Sequence, residues 1–150
     1  MSLTDNLTPI EILLVEDSPT DALLAKEALT YSKVCNNLHL VTDGVEAMAF
    51  LHRQGKYQGV RLPDLILLDL NLPKKDGREV LEEIKGDERF KRIPVVILTT
   101  SKDEYDVLAA YGHHANCYIV KPVDFEKFSE VVKYIEGFWF AVVTLPTKVV

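Results

Sequence analysis

Cysteine is scarce in this chain of 150 residues, positive charge is in deficit, and no apolar run approaches membrane length. The two cysteines, Cys35 and Cys117, show neither CxxC spacing nor a metal-ligand pattern with the four histidines. Disulfide frameworks and zinc sites are therefore excluded, and reduced structural thiols are expected. Lys and Arg number 17 against 23 Asp and Glu, for a formal net charge of -6. No basic stripe exists to displace the counterions of a nucleic acid, so no nucleic-acid partner is expected. The apolar stretches are strand length, short of the roughly 20 residues a membrane span requires. The opening MSLTDNLTPIEI lacks a basic n-region and a long apolar run. Neither a secretory signal nor a membrane association is expected, and the predicted setting is the cytoplasm. What remains, 47% hydrophobic content, suffices for about one domain with a sizeable core.

Short aliphatic runs alternate five times with amphipathic segments of helix length, the pattern of a βα series. The runs are Ile10–Val15, Leu38–Thr42, Leu65–Asp69, Val95–Thr99 and Cys117–Val120. The helical segments are Pro19–Ser32, Gly44–Gln54, Gly77–Lys85, Lys102–Tyr111 and Phe125–Gly137. Ser18 precedes Pro19 as a cap with proline at the first helical position, and Ser101 to Glu104 has capping-box spacing. Gly55, Gly86 and Gly112 mark helix ends. Five right-handed units in so short a chain predict a flavodoxin-like, doubly wound (βα)5 parallel sheet with strand order 2-1-3-4-5. The expected organisation is a tail over 1–9, one domain over 10–138 and an apolar extension over 139–150.

In the stretch DLILLDLNLP, Asp69 follows four aliphatics bounded by Pro63 and Pro73. It thus stands at the carboxyl end of a strand buried on both faces, the edge where open α/β sheets gather ligands. The first strand ends in Glu16 and Asp17. If strands one and three are neighbours, three carboxylates converge, and like charges so placed repel unless a cation sits among them. An all-oxygen group of this kind suits Mg²⁺, with Asp17, Asp69 and the Asn71 backbone carbonyl as ligands. Equally, Glu16 and Asp17 can serve only as acids at the N-terminus of the following helix. Thr99 and Lys121 reach the same rim from strands four and five. A carboxylate, a hydroxyl and an ammonium around a cation are what phosphoryl transfer demands, with Asp69 as the nucleophile that forms an acyl phosphate.

These motifs together resemble the receiver domain of the two-component response regulators, over about Ile10 to Phe138. Glu16 and Asp17 match the family's metal-binding acidic pair, Asp69 its phosphorylated aspartate and Thr99 its switch hydroxyl. Lys121 with Pro122 matches its lysine followed by a cis proline, and Tyr118 its rotating aromatic. The separations also agree: 30 residues from Asp69 to Thr99 and 22 from Thr99 to Lys121. VEDSPTDA, DLNLPKKDGREVLEEIK, IPVVILTTS and EGFW, with RQGKYQGVRLP before the third strand, are similar to the small regulators paired with cyanobacterial and bacterial phytochromes. The resemblance implies a stand-alone phosphoacceptor, not a turnover enzyme. It would take a phosphoryl group from a sensor histidine kinase, a phytochrome by the finer likeness, onto Asp69 with Mg²⁺. Glu16 would contact the ion through water, and slow autodephosphorylation would follow.

Other readings are weaker. A phosphorylation-independent adaptor would not need Asp69, Thr99 and Lys121 together. A flavin carrier would need amides and hydroxyls where the loop after strand one is acidic, and an aspartate-nucleophile phosphatase would need an acid where Asn71 stands. His113 and His114 lack a third ligand at helical spacing and read as surface or cap residues. His39 reads as a strand residue with a satisfied ring nitrogen. Lys74 and Lys75 read as a solvated loop pair or as steering charge. On the fifth helix Phe125, Phe128, Val132, Ile135 and Trp139 form a core stripe, and Val131, Tyr134 and Phe138 widen the apolar arc. With Tyr111, Trp139, Phe140 and Val142, that shoulder predicts an isologous homodimer, with fold-back of the tail as the alternative.

Overall fold

The apolar runs pair in parallel because each strand is followed by a helix that carries the chain back before the next begins. In a computed structural model that describes residues 9–31, 35–110, 112 and 115–139, the strands are β1 (Ile10–Val15), β2 (Asn36–Val41), β3 (Leu65–Asp69), β4 (Val95–Thr99) and β5 (Cys117–Val120). The helices are α1 (Pro19–Thr30), α2 (Gly44–Leu51), α3 (Gly77–Gly86), α4 (Lys102–Ala110) and α5 (Phe125–Trp139). The sheet order is β2-β1-β3-β4-β5, as expected. The order reverses between β1 and β3, which opens a crevice at their carboxyl ends.

Register decides what meets there. Val15 pairs with Leu68, so Glu16, the next residue, comes beside Asp69. Asp69 pairs with Leu98 and Thr99 with Val120, which brings Thr99 and Lys121 one step beyond the same rim. Alternation then sorts them between faces. Leu65 and Leu67 pack into the cluster with the α1 and α5 residues Ala22, Ala25 and Phe128, and Asp69 continues their side. Val95 and Ile97 pack into the cluster with the α2, α3 and α4 residues Ala47, Leu81 and Leu108, and Thr99 continues theirs.

Several element ends depart from expectation. β2 begins at Asn36 rather than Leu38, because its asparagines are bonded: Asn37 Nδ2 donates to Glu11 Oε2 at 2.8 Å and Asn36 Nδ2 to the Leu29 carbonyl at 3.3 Å. α2 stops at Leu51 rather than Gln54, where Arg53 takes a left-handed φ of 53° and a 3-10 turn follows at Gly55–Tyr57. Gly55 and Gly112 have positive φ, whereas Gly86 is simply the last residue of α3. α5 runs on to Trp139, and its buried face passes through Phe128 and Val131, three residues apart. Val131, expected at an association surface, is 8% exposed and packs with Ile119 and Val123, while Phe125, expected in the core, is 47% exposed. Residues 1–8 and 140–150, assigned to the tail and most of the apolar extension, lie outside the described residues, as do Tyr111, His113 and His114.

Gly77 sits against the loop that follows Asp69. A Cβ there would lie 2.2 Å from the Asp69 carbonyl oxygen, so a hydrogen is all this approach admits. At the other end of the sheet Glu11 is a buried carboxylate that accepts from Asn37 Nδ2 and meets His39 Nε2, both at 2.8 Å. The Asn37 hydrogen bond, with His39 beside it, outweighs burial and holds the Glu11 carboxyl below its ordinary range. A depressed carboxylate adds stability that is present above its unfolded value of 4.5 and is lost as pH falls through the folded value. Glu11→Gln is expected to cost about 1.5–3 kcal/mol at neutral pH. Urea unfolding across a pH series should show that difference shrinking below the unfolded value; a gap that stays constant into acid would contradict the assignment.

Candidate functional site

Lys121 follows β5 and its backbone N–H donates to the Thr99 carbonyl at 2.8 Å, so the β-ladder itself aims the residue at the rim. The Lys121–Pro122 peptide is cis. The ammonium lies 2.8 Å from Glu16 Oε1, 3.0 Å from Asp69 Oδ2 and 3.2 Å from Asp21 Oδ2. Burial alone would lower Lys121; the Glu16 and Asp69 carboxylates reverse that and raise it. At Glu16, burial first and Asp69 second push the carboxyl up to about 7, while Lys121 and the Ser18 amide pull it down.

One ammonium does not balance this group. Glu16, Asp17 and Asp69 each offer an oxygen within 4.8 Å of the others, two of them from buried residues. Glu16 Oε1 pairs in charge with Lys121 but out of hydrogen-bond alignment, and it is a buried oxygen without a hydrogen-bond partner among the described residues. An all-oxygen donor set with excess negative charge and an orphaned buried oxygen fits a hard divalent cation such as Mg²⁺. Asp17 is exposed at the mouth, which leaves the group open to solvent.

Asp69 is held at both oxygens: Oδ1 accepts the Asn71 N–H at 3.1 Å and Oδ2 accepts from Lys121 at 3.0 Å. Thr99 is fully buried, and its hydroxyl lies 2.9 Å from both the Ser101 carbonyl and Glu104 Oε2; neither partner is Asp69. Tyr118 pairs with Ile97 on β4, and its ring meets the Tyr105 ring of α4 with centroids 4.5 Å apart.

Lys74 and Lys75 are each engaged, Lys74 with Asp43 at 3.5 Å and Lys75 with Glu83, so neither stands as free steering charge. His39 finds Glu11, as expected. Burial pushes the Cys117 thiol up to about 11, in keeping with a structural role. Tyr134 is 55% exposed, whereas the side chains of Phe138, Trp139, Phe140 and Val142 and the whole of Tyr111 fall outside what is described.

Two site residues were not singled out from sequence. Asp21 sits in the first turn of α1, where an acid reads as a partner of the helix N-terminus, and its N–H does bond Ser18 Oγ at 3.3 Å. Its place in the first turn of α1, only three residues past Ser18 at the end of the acidic loop after β1, was the available signal. Glu104 read as the acid of a capping box. Its carboxylate instead reaches Thr99, Thr100 and Asn71, and the Thr100 hydroxyl above all holds it down to about 2.

A family model described as the response regulator receiver domain matches residues 12–133. The chain is 54% identical over 138 residues to the response regulator Rcp1 of Synechocystis sp., covering 92% of this chain and 94% of that one. The phosphorylated cyanobacterial phytochrome response regulator RcpA superposes with a TM-score of 0.75 at 52% identity, covering 93% of this chain and 99% of the other. The Mn²⁺-bound form of Rcp1 gives 0.73 at 54% identity, covering 92% and 99%. No helix among the described residues is long and apolar enough to cross a membrane. With Asp69, Lys121 and the acidic group on one rim of the expected sheet, this chain belongs to the response regulator receiver family of two-component signalling, and its relatives include phytochrome response regulators.

Proposed function

We propose that Asp69 accepts a phosphoryl group from a phosphohistidine of a sensor histidine kinase, a phytochrome by likeness to RcpA, and that the modified chain signals through altered association. The observation that carries this reading is the Lys121 ammonium 3.0 Å from a buried Asp69 carboxylate, inside a group with more negative than positive charge. An Asp69 oxygen attacks phosphorus; the new O–P bond forms as the N–P bond breaks, and its electron pair leaves on the donor's imidazole nitrogen. Lys121 offsets the charge spread over the phosphoryl oxygens. The Asn71 N–H keeps the Asp69 carboxylate oriented. Mg²⁺ would be held by Asp17, Asp69 and the Asn71 carbonyl, with Glu16 through water, and would supply fixed positive charge facing the phosphoryl group. Attack by water on the same phosphorus would return Asp69 slowly to its free form. The protein is thus a signalling phosphoacceptor whose own side chains carry both steps, at work in the cytoplasm where the kinase is charged.

Read-out in this proposal begins at Thr99, whose hydroxyl turns to a phosphoryl oxygen, and passes to Tyr118. Association would use the exposed side of α4 and α5, where Val107 and Tyr134 are more than half exposed, in an isologous homodimer. Tyr111, Phe138, Trp139, Phe140 and Val142 are proposed to extend that surface; Val131 is not, since it is buried.

Acetyl phosphate should label the protein only when a divalent cation is present, and Asp69→Asn should abolish the label. Acid-stable label persisting in that variant would place the acceptor on a hydroxyl and end the mechanism. Sedimentation supplies the test of association: wild type is expected to dimerise, with phosphorylation changing the constant and Tyr134→Asp weakening it by about tenfold or more. A wild type that stays monomeric at high concentration in both states removes the dimer.

A further inference from the structure

Glu104 is placed where helix capping does not require it. Its backbone N–H reaches Ser101 Oγ at 3.4 Å, as a capped first turn should. Its carboxylate, however, leaves the helix end and turns to the rim. Oε2 accepts from the Thr99 hydroxyl at 2.9 Å, from the Thr100 N–H at 3.1 Å and from the Thr100 hydroxyl. Oε1 accepts from Asn71 Nδ2 at 3.2 Å and lies 3.9 Å from Arg78 Nη2. The carboxylate therefore joins α4 to the loop after β3 and to the end of β4. A threonine hydroxyl has one proton. While that proton is given to Glu104 or to the Ser101 carbonyl, Thr99 has none to offer a phosphoryl oxygen.

We propose that Glu104 is a positioning residue that keeps the Thr99 hydroxyl and the Asn71 carboxamide in their unphosphorylated arrangement, and that a phosphoryl group on Asp69 must displace its carboxylate to recruit them. The inference rests on the reading of Asp69 as phosphoacceptor. Two forces act in the displacement: the phosphoryl oxygens offer Thr99 a better-charged acceptor, and their negative charge repels a carboxylate held at the same rim. Whatever free energy Glu104 contributes to the resting arrangement is withdrawn from the phosphorylated one, because a ligand shifts a two-state equilibrium by its differential contacts. The side chain is 23% exposed, so water stands ready to receive the displaced carboxylate.

The test uses the full chain with Glu104→Ala, Glu104→Gln, Thr99→Val and the double variant Glu104→Ala/Thr99→Val. Labelling of Asp69 by acetyl phosphate in Mg²⁺ buffer gives the rate and the extent of modification. Methyl NMR of Thr99 in the unphosphorylated protein gives its rotamer population, a readout independent of phosphorylation. Glu104→Ala is expected to raise the labelling efficiency by about 5- to 20-fold, the scale of one charge-assisted hydrogen bond partly open to water, and to spread Thr99 over more than one rotamer. Glu104→Gln, which retains an acceptor oxygen without the charge, should fall between. In the Thr99→Val background the gain should shrink to the part that charge repulsion supplies without Thr99, a dependence that a merely structural residue would not produce. Wild-type labelling and rotamers in Glu104→Ala would overturn the proposal and leave the phosphoacceptor reading intact. An undiminished gain in the Thr99→Val background would overturn it as well, by showing that charge alone accounts for it. A wild type that takes no label would instead defeat the phosphoacceptor reading itself, and the displacement with it. Should Glu104→Ala lose its fold, the Glu104→Gln pair of readouts decides alone.

Discussion

The rim of this sheet depends on one ammonium. Lys121 gathers carboxylates from three elements, Glu16 after β1, Asp21 on α1 and Asp69 at the end of β3, at distances of 2.8 to 3.2 Å. Each of those acids is brought there by a separate part of the fold, and their mutual repulsion would spread the strand ends apart without a cation between them. The lysine is itself placed by the sheet, through Thr99–Val120 pairing and the bond from its N–H to the Thr99 carbonyl. Core and site are in this sense one construction. The parallel register that buries Leu67 and Leu68 also decides that Asp69 lies beside Glu16.

What was legible in the sequence follows from that coupling. Strand ends are legible where an aliphatic run meets an acid, a hydroxyl pair or a proline, so Asp69, Thr99 and Lys121 could be assigned to one edge from pattern, while the sheet order followed from the class that five right-handed βα units imply. Where polar side chains satisfy one another the pattern fails. Asn36 and Asn37 look like loop residues, yet both carboxamides are bonded in the structure and β2 starts there. The α5 error has a different cause. A helix rich in apolar residues on most sides does not state which side faces the sheet, and only packing on Ile119 and Val123 selects Phe128 and Val131 over Phe125.

Asp21 and Glu104 were hidden for a shared reason. An acid in the first turn of a helix has an adequate local explanation in the unsatisfied N–H groups there, so sequence gives no cause to look further. Both carboxylates leave that local role and reach across the rim, Asp21 to a lysine 100 residues away and Glu104 to Asn71, 33 residues back. The starts of α1 and α4 both lie beside the crevice at the carboxyl ends of β1 and β3, and each brings its acid to that rim. The first-turn acid of α2 marks the limit of this: Glu46 follows a loop at least as short, yet its carboxylate engages Tyr57 and Lys56 instead.

The two faces of the sheet separate the Asp69 carboxylate from the Thr99 hydroxyl. Asp69 follows Leu65 and Leu67 toward α1 and α5, the side of Asp21 and Lys121, while Thr99 follows Val95 and Ile97 toward the side packed by Leu108 of α4. A hydroxyl on that second side meets α4 by default, and it is α4 that supplies Glu104. The next residue, Tyr105, stacks on Tyr118 of β5, and Tyr118 pairs with Ile97 two residues before Thr99. Whatever draws Thr99 toward Asp69 must break its bond to Glu104, and Glu104 shares a helical turn with the ring that covers Tyr118. The two faces are thus joined at a single helix start, where consecutive residues of α4 bond Thr99 and cover Tyr118, and Val107, two residues past Tyr105 on the same helix, is exposed.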